Sequence, residues 1–313
     1  MSKKSRVLLT GATGFLGSHL AHALLEAGYE LVLLKRSFSD TRRIADLLSH
    51  CDIYDVGRIS LEKVFDAGKV DIIVHAATCY GRKGQSLSEI VDSNVVFPLR
   101  LLEAAVGAGV PIFFNTDTFF NRQDLPCDSL PGYVATKRQF VDLARLSPLG
   151  AARFVNVRLE HLYGPEDDDS KFVPQVVHQL VSNSGALDLT AGEQERDFIY
   201  IDDAVSAFLL LLETAGKDPT PFQHYDVGSG TAISVRTFVQ LARRLSGSSS
   251  QLNFGALPYR PHEIMQSVAD IRPLVAAGWR ARFSVEDGLR QTIRWSARSR
   301  SKFPTALRAN VKS

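Results

Sequence analysis

A glycine-rich turn near the start of the chain constrains the fold more than any other sequence feature. Residues 6–10 (RVLLT) form an apolar run of strand type, and Gly11, Gly14 and Gly17 follow at intervals of three. Apolar residues at helical spacing come next, and residues 30–34 predict a second strand. Strand, glycine turn, helix and strand form the unit that binds dinucleotides, because glycine lets the backbone approach a pyrophosphate and the helix N-terminus offers it amide groups.

The rest of the first half continues to alternate strand-like and helix-like segments. Further strands are predicted at residues 72–77, 111–114 and 153–158. Such alternation is typical of an α/β fold with a parallel sheet and helices on both faces. We therefore predict a Rossmann-type doubly wound parallel sheet with a smaller α/β substrate-binding domain, which begins where turns and acidic residues follow Tyr163.

Two discontinuous domains and a tail are predicted. The dinucleotide would bind to residues 1–160 and 196–228, the substrate to residues 161–195 and 229–295, and a basic tail follows at residues 296–313. The tail is rich in Arg, Ser and Lys, so it is expected to be solvated and partly disordered. The serine-rich segment 246–250 is predicted to be a flexible loop.

The end of the second predicted strand indicates which dinucleotide would bind. An NAD site usually carries an acidic residue there, which holds the ribose 2′-hydroxyl. Here the strand ends in Lys35, Arg36 and Ser37, two cations and a hydroxyl that suit a 2′-phosphate. We therefore predict NADPH as the cofactor.

Two further segments are predicted to line the cofactor. Asp55 and Val56 end the third apolar stretch and would face the adenine, whereas the small residues Ala76 and Ala77 follow a buried strand and would let the backbone approach. The predicted cofactor-binding residues are Gly11, Thr13, Gly14, Phe15, Leu16, Gly17, Lys35, Arg36, Ser37, Asp55, Val56, Ala76, Ala77, Tyr133 and Lys137.

Tyr133 and Lys137 lie four residues apart in a segment that is typical of a helix start. Side chains at this spacing share one face of a helix. An ammonium group beside a phenol stabilises the phenolate and so lowers the pKa of the tyrosine. Tyr133 is therefore a candidate proton donor or acceptor near neutral pH. A surface tyrosine packed on a lysine would have the same spacing, and the glycine turn upstream is what favours the catalytic interpretation.

Composition excludes several classes of protein. The chain has 313 residues and a formal net charge of +2, which argues against a general nucleic-acid-binding surface. Its three cysteines, Cys51, Cys79 and Cys127, fit neither a disulfide framework nor a metal site. No signal-type apolar stretch follows Met1, and the apolar run 209–212 is far too short to span a bilayer. We expect a cytoplasmic protein that binds no metal, no nucleic acid and no membrane.

These segments together resemble the extended short-chain dehydrogenase/reductases, the NAD-dependent epimerase/dehydratase family that modifies nucleotide sugars. Residues 158–165 (RLEHLYGP) resemble the R-x-x-N-x-Y-G-P motif of this family, and residues 192–203 (GEQERDFIYIDD) resemble its G-x-x-x-R-D-F-x-x-V-x-D motif. The resemblance runs from Val7 to about Trp295, which is nearly the whole chain. It implies a Rossmann-type fold and a catalytic set of Thr, Tyr and Lys.

A narrower group is similar over four short segments. Residues 75–83 (HAATCYGRK), 114–120 (FNTDTFF), 158–161 (RLEH) and 263–265 (EIM) resemble the CDP-abequose and CDP-paratose synthases of bacterial O-antigen and lipopolysaccharide biosynthesis. This resemblance implies an NADPH-dependent oxidoreductase that reduces the 4-keto group of CDP-4-keto-3,6-dideoxy-D-glucose. The nucleotide base rests on the resemblance alone, and the sequence leaves the C4 configuration of the product open.

The resemblance assigns roles to the catalytic residues. Thr116 lies where related reductases carry a Ser-Thr-Asp segment, so its hydroxyl is expected to hold the C4 oxygen of the sugar. Tyr133 would protonate that oxygen as NADPH passes hydride to C4, and Lys137 would lower the Tyr133 pKa and bind the nicotinamide ribose. Thr118 is the second candidate for the hydroxyl, because Thr116 is closer to Tyr133 in sequence than its counterpart is in many relatives.

The resemblance also implies where the nucleotide sugar binds. A pyrophosphate favours arginine, and Arg196 and Arg260 lie where the family places phosphate contacts. Glu160 and His161 would point at the sugar or form a buried structural pair; abstraction of a ring proton, as in a 3,5-epimerase, is a weaker interpretation. The predicted substrate-binding residues are Thr118, Glu160, His161, Lys171, Phe172, Arg196 and Arg260, of which Lys171 and Phe172 would contact the base.

Three alternative functions stay open. A nucleotide-sugar 4-epimerase would share the catalytic residues and retain NAD, but the basic Lys35 and Arg36 argue against it. A 4,6-dehydratase needs an Asp-Glu pair beside the catalytic Thr, whereas Asp117 is followed by Thr118. A non-catalytic NADPH-binding regulator often lacks the Tyr or the Lys, and this chain has both.

A homodimer is expected, because related enzymes often dimerise through two helices that correspond to residues 95–108 and 133–146. The apolar residues on these helices are Val96, Leu99, Leu102, Ala105, Phe140, Leu143 and Ala144. Packing against the sheet would explain the same pattern.

Overall fold

A computed structural model describes residues 5–122, 130–214 and 216–302, with side chains as far as residue 299. Cys127 lies outside the described residues, as does the part of the basic tail after Lys302. Within the described ranges, none of the helices combines the length and the apolar character needed to cross a membrane.

Strands and helices alternate along most of the chain. The strands are β1 (Arg6–Thr10), β2 (Glu30–Lys35), β3 (Asp52–Asp55), β4 (Ile72–His75), β5 (Ile112–Thr118), β6 (Arg153–Leu159), β7 (His161–Tyr163), β8 (Ala186–Leu189), β9 (Glu195–Arg196), β10 (Phe198–Tyr200), β11 (Phe222–Val227), β12 (Ile233–Ser234), β13 (Gln251–Phe254) and β14 (Gln266–Ser267). The helices are α1 (Phe15–Glu26), α2 (Leu61–Asp66), α3 (Leu87–Val91), α4 (Phe97–Gly107), α5 (Pro131–Leu146), α6 (Phe172–Val181), α7 (Ile201–Thr214), α8 (Val235–Ser246), α9 (Arg272–Ala276) and α10 (Val285–Lys302). Short 3-10 helices cover Arg42–Ile44, Leu48–His50 and Phe119–Arg122, and a π-helical turn covers Asp92–Val96.

Seven parallel strands form the main sheet, in the order β11-β6-β5-β4-β1-β2-β3. The chain starts in the middle of the sheet, runs outward through β2 and β3, and then crosses back to β4. In open α/β sheets, ligands bind at the carboxyl ends of the strands where the strand order reverses, here between β1 and β4. The predicted Rossmann-type doubly wound fold is confirmed.

The core lies on both faces of this sheet, because successive side chains of a strand point to opposite faces. Val7 and Leu9 of β1 pack with Leu20 of α1 on one face, whereas Leu8 packs with Phe140 of α5 on the other. All five side chains are completely buried. The two faces together hold the carboxyl edge of the sheet in place.

Smaller sheets follow the point where β6 ends. Strand β7 pairs with β10, β9 pairs with β12 and β14, and β8 pairs with β13. Strand β11 then returns to the edge of the main sheet beside β6. The predicted domain boundaries stay a prediction.

The structure describes two segments that were expected to be irregular. Residues 296–302, the start of the predicted basic tail, complete helix α10. In the serine-rich segment, Ser250 is 2% exposed and the Ser248 hydroxyl donates to Asn183 Oδ1 at 2.8 Å. Ser246 ends α8 and residues 247–250 form a loop, as predicted. Hydrogen bonds join the serines of this loop to Asn183 and to each other, and its flexibility stays a prediction.

The two helices expected to form a dimer direct apolar residues into the core of their own chain. Leu102 and Ala105 of α4, and Phe140 and Ala144 of α5, are 2% exposed or less. Packing against the sheet therefore explains their apolar pattern, and the homodimer stays a prediction.

Candidate active site

The glycine turn lies where the carboxyl ends of β1 and β4 meet. Gly11 has a φ of +73°, and a Cβ there would come within 2.5 Å of the Ala77 nitrogen. A Cβ on Gly17 would come within 2.1 Å of the Gly11 carbonyl oxygen. Both positions require glycine, since the turn closes tightly beneath the first turn of α1.

The first turn of α1 has the properties of an anion site. Gly14 caps the helix and is exposed, no side chain caps it, and its first turn carries no acidic residue. The amides that begin a helix have no partner within it, and they carry the positive end of the helix dipole. Thr13 and Leu16 are half-buried beside Gly14, and Phe15 is buried beneath it. These residues fit a dinucleotide pyrophosphate.

The end of β2 is basic and solvent-facing. Arg36 and Ser37 are exposed and Lys35 is half-buried. The Ser37 hydroxyl hydrogen-bonds to Asp55 and holds the pKa of that carboxyl below its usual value. Arg58 lies 3.5 Å from the same carboxylate. Two cations, Lys35 and Arg58, therefore lie near the Asp55 carboxylate at this end of the site.

The remaining predicted cofactor residues border the turn. Ala76 and Ala77 are half-buried, and the Ala77 amide donates to Thr10 Oγ1 at 3.2 Å. Val56 is half-buried after β3, where its amide donates to the Lys35 carbonyl at 3.0 Å. The structure thus brings these residues to the same edge of the sheet as the glycine turn.

Arg43, which the sequence did not single out, ties the glycine turn to the segment that was predicted to begin the substrate-binding domain. Its guanidinium donates to the Thr13 carbonyl at 3.3 Å and to the Glu166 carbonyl at 2.7 Å. Glu166 has a φ of +67°, a conformation that is uncommon outside glycine. The segment after β7 is therefore held directly over the turn.

Tyr133 and Lys137 lie on the face of α5 that packs on the sheet, and they are 6% and 2% exposed. The Lys137 ammonium donates to the main-chain carbonyl of Thr116. The Thr116 hydroxyl in turn donates to the His75 carbonyl at 3.1 Å. These two bonds fasten α5 to the carboxyl ends of β5 and β4.

The Tyr133 phenol interacts with the side chains of Thr118 and Tyr80. The Tyr80 and Tyr133 ring centroids are 4.6 Å apart, with 32° between the ring planes. Burial raises the pKa of Tyr133 well above its usual value. The predicted lowering of this pKa is wrong for this arrangement, because desolvation of the phenolate outweighs other influences.

A π-helical turn supplies another residue that the sequence did not single out. Asn94 is 1% exposed. Its Oδ1 accepts from the Cys79 main-chain amide at 2.7 Å, and its Nδ2 donates to the Cys79 carbonyl at 2.8 Å. It also donates to the Thr136 hydroxyl at 3.0 Å. Asn94 thereby fixes the segment after β4 against α5. No local sequence signal marks Asn94, because the polar residues Asp92 and Ser93 precede it directly.

Glu160 belongs to a buried charge network. Its carboxylate is paired with Arg122, accepts the Ser267 hydroxyl at 2.9 Å and lies 3.4 Å from His161 Nδ1. Although burial favours the neutral acid, His161, Arg122 and Ser267 hold the pKa of Glu160 below its usual value. A carboxylate held in this way is a poor base, which disfavours ring-proton abstraction and supports the structural interpretation of Glu160.

His161 has a more open position than Glu160. Its ring lies 4.3 Å from the Phe119 ring and 5.8 Å from the Phe198 ring, between centroids, and its side chain is 26% exposed. Burial lowers the pKa of His161, so the imidazole is neutral near pH 7. One face of the ring can therefore contact a ligand.

Asp226 extends the same network to β11. Arg158 donates to it at 2.7 Å, Arg122 lies 3.2 Å from it, and His224 lies 3.0 Å from it. Arg122 also donates to the Val268 carbonyl. The Arg122 side chain thus joins the ends of β5, β6 and β11 to the segment after β14.

The other predicted substrate residues are placed differently. Arg196 is 6% exposed and pairs with Glu263 at 2.6 Å, whereas Arg260 is exposed. The Lys171 ammonium lies 2.7 Å from Asp167 and 5.2 Å from the centroid of the Phe15 ring. Phe172, which begins α6, is 40% exposed. No group of three or more His, Cys, Asp or Glu among the described residues could hold a metal.

Comparison with known proteins is consistent across sequence and fold. The sequence pattern of the NAD dependent epimerase/dehydratase family matches residues 7–228. A CDP-abequose synthase of Salmonella muenchen is 37% identical over 292 residues, which cover 92% of this chain and 97% of that relative. A CDP-abequose synthase of Salmonella typhimurium is 36% identical over 296 residues, which cover 93% and 98%.

One solved structure with the same fold is the UDP-glucuronic acid 4-epimerase from Bacillus cereus, in complex with UDP-glucuronic acid and NAD. It superposes with a TM-score of 0.81 at 24% identity, over 94% of this chain and 99% of that chain. At this identity the likeness shows the fold alone.

Proposed function

The chain belongs to the NAD dependent epimerase/dehydratase family, and from that premise we propose that it is an NADPH-dependent 4-ketoreductase of a nucleotide-linked 4-keto-deoxyhexose. The substrate would be CDP-4-keto-3,6-dideoxy-D-glucose, and the product CDP-abequose or CDP-paratose for O-antigen biosynthesis. The proposal rests on one observation: Tyr133 interacts with a threonine of β5 at the sheet edge that holds the glycine turn. The two relatives named as CDP-abequose synthases support the choice of substrate.

Tyr133 would be the general acid. A bound nicotinamide cofactor would supply the hydride that reduces C4. Negative charge grows on the C4 oxygen as that bond forms, so a proton donor aimed at this oxygen lowers the barrier. Burial raises the pKa of Tyr133, which keeps the phenol protonated until the oxygen becomes basic enough to take the proton.

We assign the substrate-holding hydroxyl to Thr118 rather than Thr116. The Thr116 hydroxyl donates to the His75 carbonyl, so this side chain stabilises the contact between β5 and β4. The Thr118 side chain interacts with the Tyr133 phenol and can contact the same substrate oxygen. Lys137 would bind the nicotinamide ribose while its ammonium remains on the Thr116 carbonyl.

NADPH is proposed over NADH because Lys35, Arg36 and Ser37 end β2. Two cations and a hydroxyl favour a 2′-phosphate, and none of these three residues carries a carboxylate for a 2′-hydroxyl. The neighbouring Asp55 carboxylate is already bonded to Ser37 and to the Gly57 amide. Purified enzyme should show a higher kcat/KM with NADPH than with NADH. An equal or higher kcat/KM with NADH would contradict this part of the proposal.

The substrate pyrophosphate would meet the exposed Arg260, since Arg196 already pairs with Glu263 and Lys171 already pairs with Asp167. Phe172 is exposed at the start of α6 and would stack on the base. His161 would contact the sugar with its open face, whereas Glu160 holds the His161 ring in place.

The test is to mix purified protein, NADPH and CDP-4-keto-3,6-dideoxy-D-glucose, and to follow nicotinamide absorbance. Oxidation is expected, and ring couplings of the product by NMR would distinguish abequose from paratose. Stoichiometric NAD released from the denatured protein would instead indicate a 4-epimerase. NADPH binding without oxidation by any 4-keto sugar would indicate a regulator.

We further propose that the enzyme acts in the cytoplasm as a homodimer. The proposal of a dimer rests on the resemblance to related enzymes, since the outward positions of α4 and α5, such as Arg100, Glu103, Gln139 and Asp142, are polar. Light scattering coupled to size exclusion measures the mass directly. A mass of 34.5 kDa would indicate a monomer and contradict the proposal.

A further inference from the structure

A cluster of aromatic rings begins at the residue after Thr118. Phe119 and Phe120 open the 3-10 helix Phe119–Arg122, which follows β5. The centroid of the Phe119 ring lies 4.1 Å from that of Phe120 and 4.3 Å from that of His161. All three residues are half-buried, so part of the surface of each remains open to a ligand. Together, Phe119, Phe120 and His161 form an aromatic patch.

Buried rings support the aromatic patch from behind. The centroid of the His161 ring lies 5.8 Å from that of Phe198, which is 2% exposed and stacks on Phe238 at 3.9 Å. His161 is also held by β7, which pairs with β10. Because rings in a close-packed interior have few alternative positions, the patch presents a fixed surface.

The two carboxylates that flank the patch in sequence are buried and already have partners. Asp117 is 5% exposed and accepts the Thr118 amide at 2.8 Å and Asn121 Nδ2 at 2.7 Å. Glu160 is 4% exposed and accepts the Ser267 hydroxyl at 2.9 Å. A sugar hydroxyl placed against the patch would therefore exchange water for the face of a ring, and neither carboxylate is free to replace that water.

The aromatic patch adjoins the place where the keto group would react. Thr118 is the last residue of β5, at the sheet edge where ligands bind in folds of this kind, and its side chain interacts with the Tyr133 phenol. Consecutive Cα atoms are about 3.8 Å apart, so Phe119 lies directly beside the group assigned to hold the C4 oxygen. The ring carbons bonded to C4 are C3 and C5, and these carbons would come next to the patch.

We propose that Phe119 is a specificity-determining residue, whose ring contacts the C3 methylene group of the sugar and selects against a substrate with a hydroxyl at C3. This inference rests on the proposed reductase function and adds the group that distinguishes the substrate from the corresponding 4-keto-6-deoxy sugar. C5 carries a methyl group in both sugars, so C3 is where they differ. A methylene group gives up no hydrogen bond on the face of a ring, whereas a hydroxyl group gives up its bonds to water.

The experiment measures kcat/KM with NADPH for CDP-4-keto-3,6-dideoxy-D-glucose and for CDP-4-keto-6-deoxy-D-glucose, which differ only in the C3 hydroxyl. Contact with an apolar surface rejects an added hydroxyl to a limited extent, so wild type should prefer the 3-deoxy sugar roughly 10- to 100-fold. This ratio compares two substrates on one preparation and is therefore independent of the fraction of enzyme that is folded.

Three substitutions of Phe119 test its role. Phe119→Gln replaces the ring by an amide that can bond the C3 hydroxyl, and Phe119→Ser lets water reach it, so the ratio should fall about tenfold in each. Phe119→Leu removes the ring but keeps an apolar side chain, and its ratio should stay close to that of wild type. Phe65→Gln makes the matched exchange at a half-buried phenylalanine of α2, which leads into the amino end of β4, and should leave the ratio unchanged.

The outcomes separate this inference from the proposed function. Equal kcat/KM values for the two sugars in wild type would overturn selection at C3 and leave the reductase function intact. A wild-type preference that persists in Phe119→Gln and Phe119→Ser would overturn the assignment to Phe119. Oxidation of NADPH with neither sugar would reject the reductase function itself.

Discussion

The ammonium group of Lys137 donates a hydrogen bond to the main-chain carbonyl of Thr116, which lies two residues before the end of strand β5 and next to the proposed site. The bond crosses 21 residues of sequence and joins a buried cation to a strand end. Lys137 is 2% exposed, and burial lowers its pKa to about 8, although the nearby Asp117 opposes the shift. The helix that carries Tyr133 is therefore anchored through a group that titrates near physiological pH.

This anchor predicts a rise in stability with pH. Folded Lys137 loses its proton near pH 8, whereas the same lysine in the unfolded chain keeps it to about pH 10.5. Between these values the unfolded chain binds more protons, so the free energy of unfolding increases as pH rises. The total increase from this residue would be roughly 3 kcal/mol, because each pKa unit corresponds to about 1.4 kcal/mol.

Urea unfolding of wild type and Lys137→Met at several values from pH 7 to pH 10 measures the effect as a difference. The rise should be absent from Lys137→Met and present in Lys63→Met, which removes an exposed lysine from α2. An equal rise in Lys137→Met and wild type would show that another group titrates.

The two threonines of β5 should respond differently to loss of the hydroxyl. Thr118→Val removes a side chain that interacts with Tyr133, so kcat should fall by about 100-fold, as for a donor aimed at developing charge. Thr116→Val leaves the His75 carbonyl without its donor, which should cost about 1–3 kcal/mol of stability. Steady-state kinetics and thermal unfolding of both variants separate the two effects. The reverse pattern would restore Thr116 as the substrate-holding residue.

These threonines show which features of the site can be predicted from the sequence and which cannot. The glycine turn, the parallel sheet and the Tyr133–Lys137 spacing follow from local patterns, because strand and helix periods and glycine geometry act over a few residues. Thr116 and Thr118 are two residues apart and so share one face of the strand, and local pattern does not separate them. The two threonines differ in their contacts. Thr116 donates to the main chain of His75 in the neighbouring strand β4, whereas Thr118 interacts with Tyr133 in helix α5.

The partners of the buried charges could not be predicted from the sequence, for the same reason. Glu160 was recognised as a group that could be paired, but its partner Arg122 lies after a different strand. Tyr80 meets Tyr133 because Asn94 fixes the intervening segment. Such contacts join distant segments, and they form only once the sheet has set the spacing between its strand ends.

The buried pair of Glu160 and Arg122 should dominate the stability of the region between the sheet and β14. Glu160→Gln removes one of the two carboxylates that pair with Arg122 and leaves Asp226 as its partner, so it should destabilise by about 1–3 kcal/mol. Glu286→Gln breaks two exposed pairs, with Arg290 in α10 and Arg244 in α8, and should cost no more than about 1 kcal/mol. Thermal unfolding of both variants provides the comparison. Similar shifts in Tm would mean that Glu160 is solvated in solution.

The glycine turn predicts a separation between folding and cofactor binding. A Cβ on Gly17 would overlap the Gly11 carbonyl at 2.1 Å, so Gly17→Ala should destabilise the protein strongly. A Cβ on Gly14 meets nothing closer than that carbonyl at 3.2 Å, and Gly14 is exposed with a φ of −84° that alanine adopts.

Gly14→Ala should therefore fold with a Tm slightly below that of wild type, because the Gly11 carbonyl must shift by a few tenths of an ångström. Its methyl group would crowd the amides of α1 that a pyrophosphate is proposed to approach. We expect its Kd for NADPH, from calorimetric titration, to rise about tenfold, which corresponds to about 1.4 kcal/mol. Gly107→Ala, at a position in α4 with nothing within 4 Å, controls for the added methyl group and should leave the Kd unchanged. An unchanged Kd in Gly14→Ala would mean that the cofactor phosphates lie away from the first turn of α1. In that case, the fit between this turn and a dinucleotide would have to be abandoned, even though the fold around it is intact.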